Sequence, residues 1–255
     1  MAFVIAVAGK GGVGKSTLAA LLVRVLAEKS KSVVLAVDAD PNSNLGDKLG
    51  MKVERTIGDI REDLLKQTDE AASSGGKHDL IRYQVQLAMS EGQGFDLLTM
   101  GRPEGRGCYC YINNVLRTFL DEIMDDYPYV VIDNEAGMEH LSRRTCRKMN
   151  VLLVVSDATK VGIETGTRLL NLAKSMGIEI GTSVLAVNRF QDAIERDIKS
   201  LMDKAPFDKV ACIPYDAEVD KLSSAGKSIF SVGQSSNAYL SIKLLVGVMS
   251  RTGSL

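Results

Sequence analysis

The chain has 255 residues, a formal net charge of −1 and a hydrophobic fraction of 45%, which suits one α/β core and gives no electrostatic reason to expect nucleic acid or a membrane surface as partner. No apolar stretch is long enough to span a bilayer, and the apolar N-terminal run leads into a glycine-rich loop rather than a cleavage site, so a cytoplasmic protein without a signal peptide is expected. Four cysteines in such a chain point to free thiols or metal ligands rather than disulfides.

Short apolar, β-branched runs alternate with helical patterns from one end to the other. This predicts an α/β fold, a mostly parallel twisted sheet with helices on both faces. The runs predict strands over 3–8, 33–38, 95–100, 129–133, 151–155, 182–187 and 209–213, and helices over 15–27, 112–126, 162–175, 194–203 and 238–249. Ser73, Ser74, Gly75 and Gly76 break the pattern, and no strong period follows, so 67–94 reads as an excursion at one edge of the sheet. No repeat, low-complexity tract or compositional shift marks a linker, and one domain is expected over 1–255.

The first strand runs into GKGGVGKST, residues 9–17. Gly9, four residues, Gly14, Lys15 and Ser16 meet the P-loop spacing. Glycines 9, 11, 12 and 14 let the backbone curl so that successive N–H groups, that of Val13 included, face phosphate oxygens. Lys15 brings a charge to the β- and γ-phosphates, the Ser16 hydroxyl suits Mg²⁺, and the helix N-terminus that Thr17 continues adds its positive end. ATP or ADP with Mg²⁺ is the expected occupant. Carboxylates stand at the carboxyl ends of two further strands, where open α/β sheets place their chemistry: Asp38 and Asp40 after 33–37, and Asp133 after 129–132. They are the acids that would hold magnesium, partly through its waters.

Lys10 is an extra lysine in that loop, either a solvated side chain or something more specific. The form GKGGVGKS resembles the deviant Walker A loop of the family that holds the nitrogenase iron protein, the division-site and plasmid-partition ATPases, and several metal-cluster maturation factors. The resemblance implies that Lys10 crosses a homodimer interface to the partner's nucleotide and that Asp40, in Asp-Ala-Asp-Pro, orients the attacking water. It also implies that Asp133 is the Walker B acid and Gly137 the γ-phosphate sensor. Asn188, after one strand, and Pro214, Tyr215 and Asp216, after the last, match the family's base-contacting positions.

Between the third strand and the following helix lies GRPEGRGCYCYINN, residues 101–114. Cys108 and Cys110 sit near a helix start, which lowers a thiol's pKa and favours metal capture. Two thiolates make half of a tetrahedral soft-metal site, and a homodimer would complete it with four sulfurs on the two-fold axis. Cys212, ending a strand, reads as packing, while Cys146 stays open. GCYC at 107–110 with DNEAGMEHL at 133–141 resembles the maturation ATPases of nickel carbon monoxide dehydrogenase and acetyl-CoA synthase, a likeness covering nearly the whole chain. It implies a cytoplasmic ATPase that dimerises with nucleotide, binds Ni²⁺ or Zn²⁺ through the C-x-C pair and serves a nickel apoenzyme. Glu139 and His140 are left out of the metal set, because a lone His after a glycine turn is more often a cap or surface residue.

Two other classes compete. An iron-protein-like reductase would hold an intersubunit Fe–S cluster; 133–141 has no cysteine to place one just beyond the Walker B acid, although a C-x-C pair from each protomer of a dimer would also supply four thiolates. A partition or division regulator that binds membrane would need a basic amphipathic terminal helix, whereas the tail SIKLLVGVMSRTGSL holds only Lys243 and Arg251. The basic run at 143–148 suits a solvated face or a protein docking patch better than nucleic acid.

Overall fold

Strand β1, Phe3–Gly9, is buried at every position after Phe3, the signature of a strand covered on both faces in a parallel sheet. The protein's structure, a computed structural model, describes residues 2–67, 76–101, 110–136, 148–191 and 196–250. After β1 come α1 (Lys15–Ser30), β2 (Val34–Asp38), α2 (Asn44–Leu49), α3 (Ile57–Gln67), α4 (Gly76–Leu87), β3 (Ser90–Glu91) and β4 (Phe95–Thr99). Then follow α5 (Cys110–Asp125), β5 (Tyr129–Asp133), β6 (Lys148–Ser156), α6 (Lys160–Ser175) and β7 (Glu179–Phe190). The chain continues with α7 (Arg196–Lys204), β8 (Lys209–Pro214), α8 (Ala217–Ser224) and α9 (Asn237–Ser250).

The strands form one sheet in the order β3-β4-β2-β5-β1-β6-β7-β8. All pairings are parallel except β3 with β4. Alternate side chains of each strand feed opposite layers. Ile5 and Val7 pack with α1 and α9, through Leu18, Leu21, Leu22, Tyr239 and Ile242. Val4, Ala6 and Ala8 pack with α3 to α6, through Ile60, Val85, Phe119 and Leu170. The α/β fold is thus as expected, with helices on both faces. No helix among the described residues is long and apolar enough to cross a membrane.

The differences from expectation have physical causes. Within the stretch 67–94 that reads as an irregular excursion, residues 76–87 form helix α4; the buried pair Ile81 and Val85 lies one helical turn apart, too short a period to stand out beside the Ser-Gly break. Strand β7 runs past the expected 182–187 at both ends, because Glu179 and Ile180 pair with Lys148 and Met149 of β6 and Phe190 pairs with Pro214 of β8; between them Asp208 accepts from the Ser183 N–H and hydroxyl, each at 2.7 Å. Cys212 is not packing: it is exposed, since β8 is an edge strand with a neighbour on one side only.

The turn out of β1 depends on one glycine. Gly9 has φ 150°, and a Cβ there would stand 2.3 Å from the Val155 carbonyl oxygen of β6, whereas a Cβ at Gly11 would meet nothing within 4 Å. Gly9→Ala is therefore expected to lower the unfolding free energy by roughly 2–3 kcal/mol, and Gly11→Ala by less than about 0.5 kcal/mol. Urea denaturation of the nucleotide-free protein checks both; equal losses would contradict this account.

Candidate functional site

Between β1 and α1 the backbone turns with Gly12 at φ 81° and Gly14 at φ 97°, left-handed values that glycine adopts without strain. Helix α1 then starts at Lys15, its first turn closed by the Leu18 N–H donating to the Gly14 carbonyl at 3.0 Å. From β7 the Asn188 side-chain amide donates to the Val13 carbonyl at 2.8 Å, and a Cβ on Gly14 would come within 2.4 Å of that amide. Asn188 thus braces the loop from outside. Lys15 is only 7% exposed, and its ammonium donates to the Lys10 carbonyl at 3.4 Å. The loop's own cation thus rests on its own backbone. Lys10 itself is exposed.

Facing this loop, the sheet register sets Asp38 level with Asp133, and Asp133 level with Val7 of β1. Both carboxylates are fully buried. Asp38 accepts from the Asp40 N–H at 3.1 Å and from the Leu45 N–H of α2 at 2.9 Å. Burial still pushes its pKa up to about 6, the charge of Asp40 adding to the effect and the backbone donors opposing it. Asp133 is raised to about 7, again by burial first. Lys15 and the Ser16 hydroxyl favour its ionised form, while Asp38 and Asp40 oppose it. Ser16 is near enough to polarise Asp133 without making a hydrogen bond of ordinary geometry, and both carboxylate oxygens stay enclosed and unpartnered.

Buried, unpartnered carboxylate oxygens beside a serine hydroxyl suit a hard divalent cation. Among the described residues no three His, Cys, Asp or Glu side chains converge tightly enough to hold a metal by themselves. The donor set therefore fits Mg²⁺ that keeps its waters and phosphate ligands, rather than an all-protein cage.

On the other side of the loop an open cleft is lined by Gly14, Thr17, Asn188, Pro214, Tyr215 and Asp216. The sequence-predicted base contacts are thus brought together on one cleft. Asp216 has a second occupation. It caps α8, accepting from Glu218 and Val219 N–H groups at 3.0 and 3.2 Å, and its other oxygen accepts from the Ser236 hydroxyl and the Ala238 N–H at 2.7 and 3.2 Å. Burial works against these bonds, yet they hold its pKa below the usual carboxylate value.

Sequence reasoning passed over several residues here. Arg189 lines the cleft in a left-handed conformation, φ 54°, at an irregularity in the β7–β8 register, with its guanidinium 3.8 Å from Asp220 of α8. Asn134 donates its side-chain amide to the Val7 carbonyl at 3.0 Å and keeps a buried, unpartnered oxygen beside Asp133. Neither position carries a spacing signal that could have marked it. Cys108, Gly137, Glu139, His140 and Cys146 lie outside the described residues, and Cys110 opens α5 with its side chain likewise outside them.

A phosphate loop at a helix N-terminus, a buried lysine behind it and two buried carboxylates on neighbouring strand ends define a P-loop nucleotide-binding protein. The model of an AAA domain family matches residues 2–186, and the chain belongs to that family of P-loop ATPases. An uncharacterized ATP-binding protein of Methanocaldococcus jannaschii is 39% identical over 242 residues, 94% of this chain and 95% of its own. The carbon monoxide dehydrogenase accessory protein CooC of Rhodospirillum rubrum is 31% identical over 240 residues, 89% of each. Among solved structures, the cell division ATPase MinD of Pyrococcus furiosus superposes with a TM-score of 0.70 over 99% of this chain and 100% of its own, at 20% identity, a likeness of fold.

The raised carboxylates predict how stability depends on pH. Because Asp133 titrates near 7 when folded against an ordinary 3.8, the folded state binds more protons than the unfolded one between those values, so stability falls as pH rises through that window. In magnesium- and nucleotide-free buffer, Asp133→Asn is expected to flatten this decline and to stabilise the protein at pH 7. Urea midpoints from pH 4 to 8 check this; an unchanged slope in the variant would contradict it.

Proposed function

We propose that the chain is an ATP-hydrolysing metallochaperone that dimerises with nucleotide and carries nickel or zinc to a nickel apoenzyme. Two facts together support the reading: chain-length similarity to a carbon monoxide dehydrogenase accessory protein, and the Cys108-x-Cys110 pair in the chain leading from β4 into α5. The client would be carbon monoxide dehydrogenase or acetyl-CoA synthase.

In this reading the triphosphate lies along the loop N–H groups of Gly11 to Thr17, and Lys15 leaves the Lys10 carbonyl for the phosphates. Ser16, Asp38 and Asp133 would hold Mg²⁺, partly through water; when bound, that ion supplies charge neutralisation at the phosphate oxygens. The base would occupy the cleft beside Asn188, Pro214 and Tyr215, with Asp216 fixing the cleft wall. Asp40 orients a water whose oxygen bonds to the γ-phosphorus as the bond to the β,γ-bridging oxygen breaks, giving ADP and phosphate and releasing the water's proton to phosphate or solvent. Lys10 of each protomer would reach the partner's phosphates, as an arginine finger does. Nucleotide binding and closure of the dimer would then be one event, and closure would bring two C-x-C pairs together as four sulfurs.

The test is metal stoichiometry against oligomeric state, with Ni²⁺ and Zn²⁺ as probes, with and without a non-hydrolysed ATP analogue. The wild type is expected to bind one metal per dimer, with Zn²⁺ competing strongly because tetrahedral sulfur suits it at least as well. Cys108→Ser and Cys110→Ser should each lose most of the metal affinity while keeping ATP. Lys10→Ala should weaken the dimer. One metal per monomer, or full binding after either serine substitution, would rule out the bridging site.

A further inference from the structure

Asp40 is held on every side but one. Its N–H donates to Asp38 at 3.1 Å, and its carbonyl accepts from the Ser43 N–H at 2.9 Å, closing a turn over Asp40-Pro41-Asn42-Ser43. Its Oδ1 accepts twice from Asn42, from the backbone N–H and from the side-chain Nδ2, both at 2.9 Å. The turn is closed through the Ser43 and Asn42 backbone N–H groups. The Nδ2 contact adds nothing to chain reversal and acts only on the carboxylate.

The structure assigns Asn42 as a positioning residue for hydrolysis: its side-chain amide locks the Asp40 carboxylate so that Oδ2 alone is presented to the attacking water. This rests on the reading of Asp40 given above. A carboxylate free to rotate offers either oxygen in many orientations, whereas one with Oδ1 committed offers a single acceptor in a fixed direction, and orientation is where such a group earns its rate effect. Asp40 is 8% exposed and Oδ2 makes no hydrogen bond among the described residues, so an acceptor is kept in reserve within the site. Asn42 itself is exposed, and trimming it removes no core packing.

Steady-state ATP turnover, nucleotide affinity and thermal melting of the full chain separate positioning from a structural role. Asn42→Ala is expected to lower kcat about tenfold, with KM, ADP affinity and melting temperature close to wild type. Asn42→Leu, similar in size but without the donor, should show the same loss, and Asn42→Gln should recover most of it. In an Asp40→Asn background, already slow, Asn42→Ala should cost nothing further. Wild-type kcat in Asn42→Ala beside a slow Asp40→Asn would overturn the inference and leave Asp40 in its role. A loss that appears in KM, affinity or melting instead, or that adds fully in the double variant, would make Asn42 a turn residue only. Wild-type turnover in Asp40→Asn would remove the role of Asp40, and that of Asn42 with it.

Discussion

The site depends on one electrostatic constraint: two carboxylates, Asp38 and Asp133, stand side by side at the ends of adjacent strands with no solvent around them. Burying one carboxylate is costly and burying two together is more so. A fold organised for stability alone would place apolar side chains at these positions, as it does at Val37 and Ile132 just before them. The chain's own groups hold the two unequally. Asp38 has two backbone donors, while Asp133 has the influence of Lys15 and Ser16 but no hydrogen bond. The arrangement becomes balanced when positive charge arrives, and the phosphate loop is the element that would bring it.

The same carboxylates tie the site to the segment after β2. Through the N–H groups of Asp40 and Leu45, Asp38 spans the turn that carries Asp40 and the start of α2. Helix α2 in turn reaches the cleft beside Asn188 from behind, because the Lys48 ammonium donates to the Ser223 hydroxyl at 2.8 Å and Ser223 lines that cleft. The Asp38 carbonyl also accepts from the Met100 N–H at 2.8 Å, and the Met100 carbonyl from the Gly58 N–H at 2.9 Å. The strand end that would sense magnesium is therefore hydrogen-bonded to the turn that would hold water and to the last residues before the cysteine-bearing segment.

Most of this was legible in the sequence wherever function follows from residues close together in the chain. The loop from Gly9 to Ser16 announces itself by spacing, and Asp38, Asp40 and Asp133 by standing where apolar runs end. Asn188, Pro214 and Tyr215 were legible through family resemblance, and the structure gathers them on one cleft. Features that depend on distant partners were not legible. The double capping by Asp216 needs Ser236 and Ala238, and the left-handed turn at Arg189 needs the irregular pairing of β7 with β8. Cys212 looked like core because VACIP is an apolar run, but its exposure follows from β8 lying at the sheet edge, a property of strand order rather than of the run. Helix α4 was hidden because, among its described side chains, the buried ones are Ile81 and Val85, with Ala88 adjoining.

In the proposed function the buried carboxylates would be neutralised by a cation delivered with nucleotide, and proton counting tests this most directly. If Asp133 holds a proton near neutral pH in the empty protein, the arriving cation must displace it. Calorimetric titration with ADP at pH 6.5, in buffers of different ionisation enthalpy and with Mg²⁺ or EDTA, measures that release. The account predicts proton release with Mg²⁺ that is absent with EDTA and sharply reduced in Asp133→Asn. Binding that releases no protons, or releases the same number without magnesium, would contradict it.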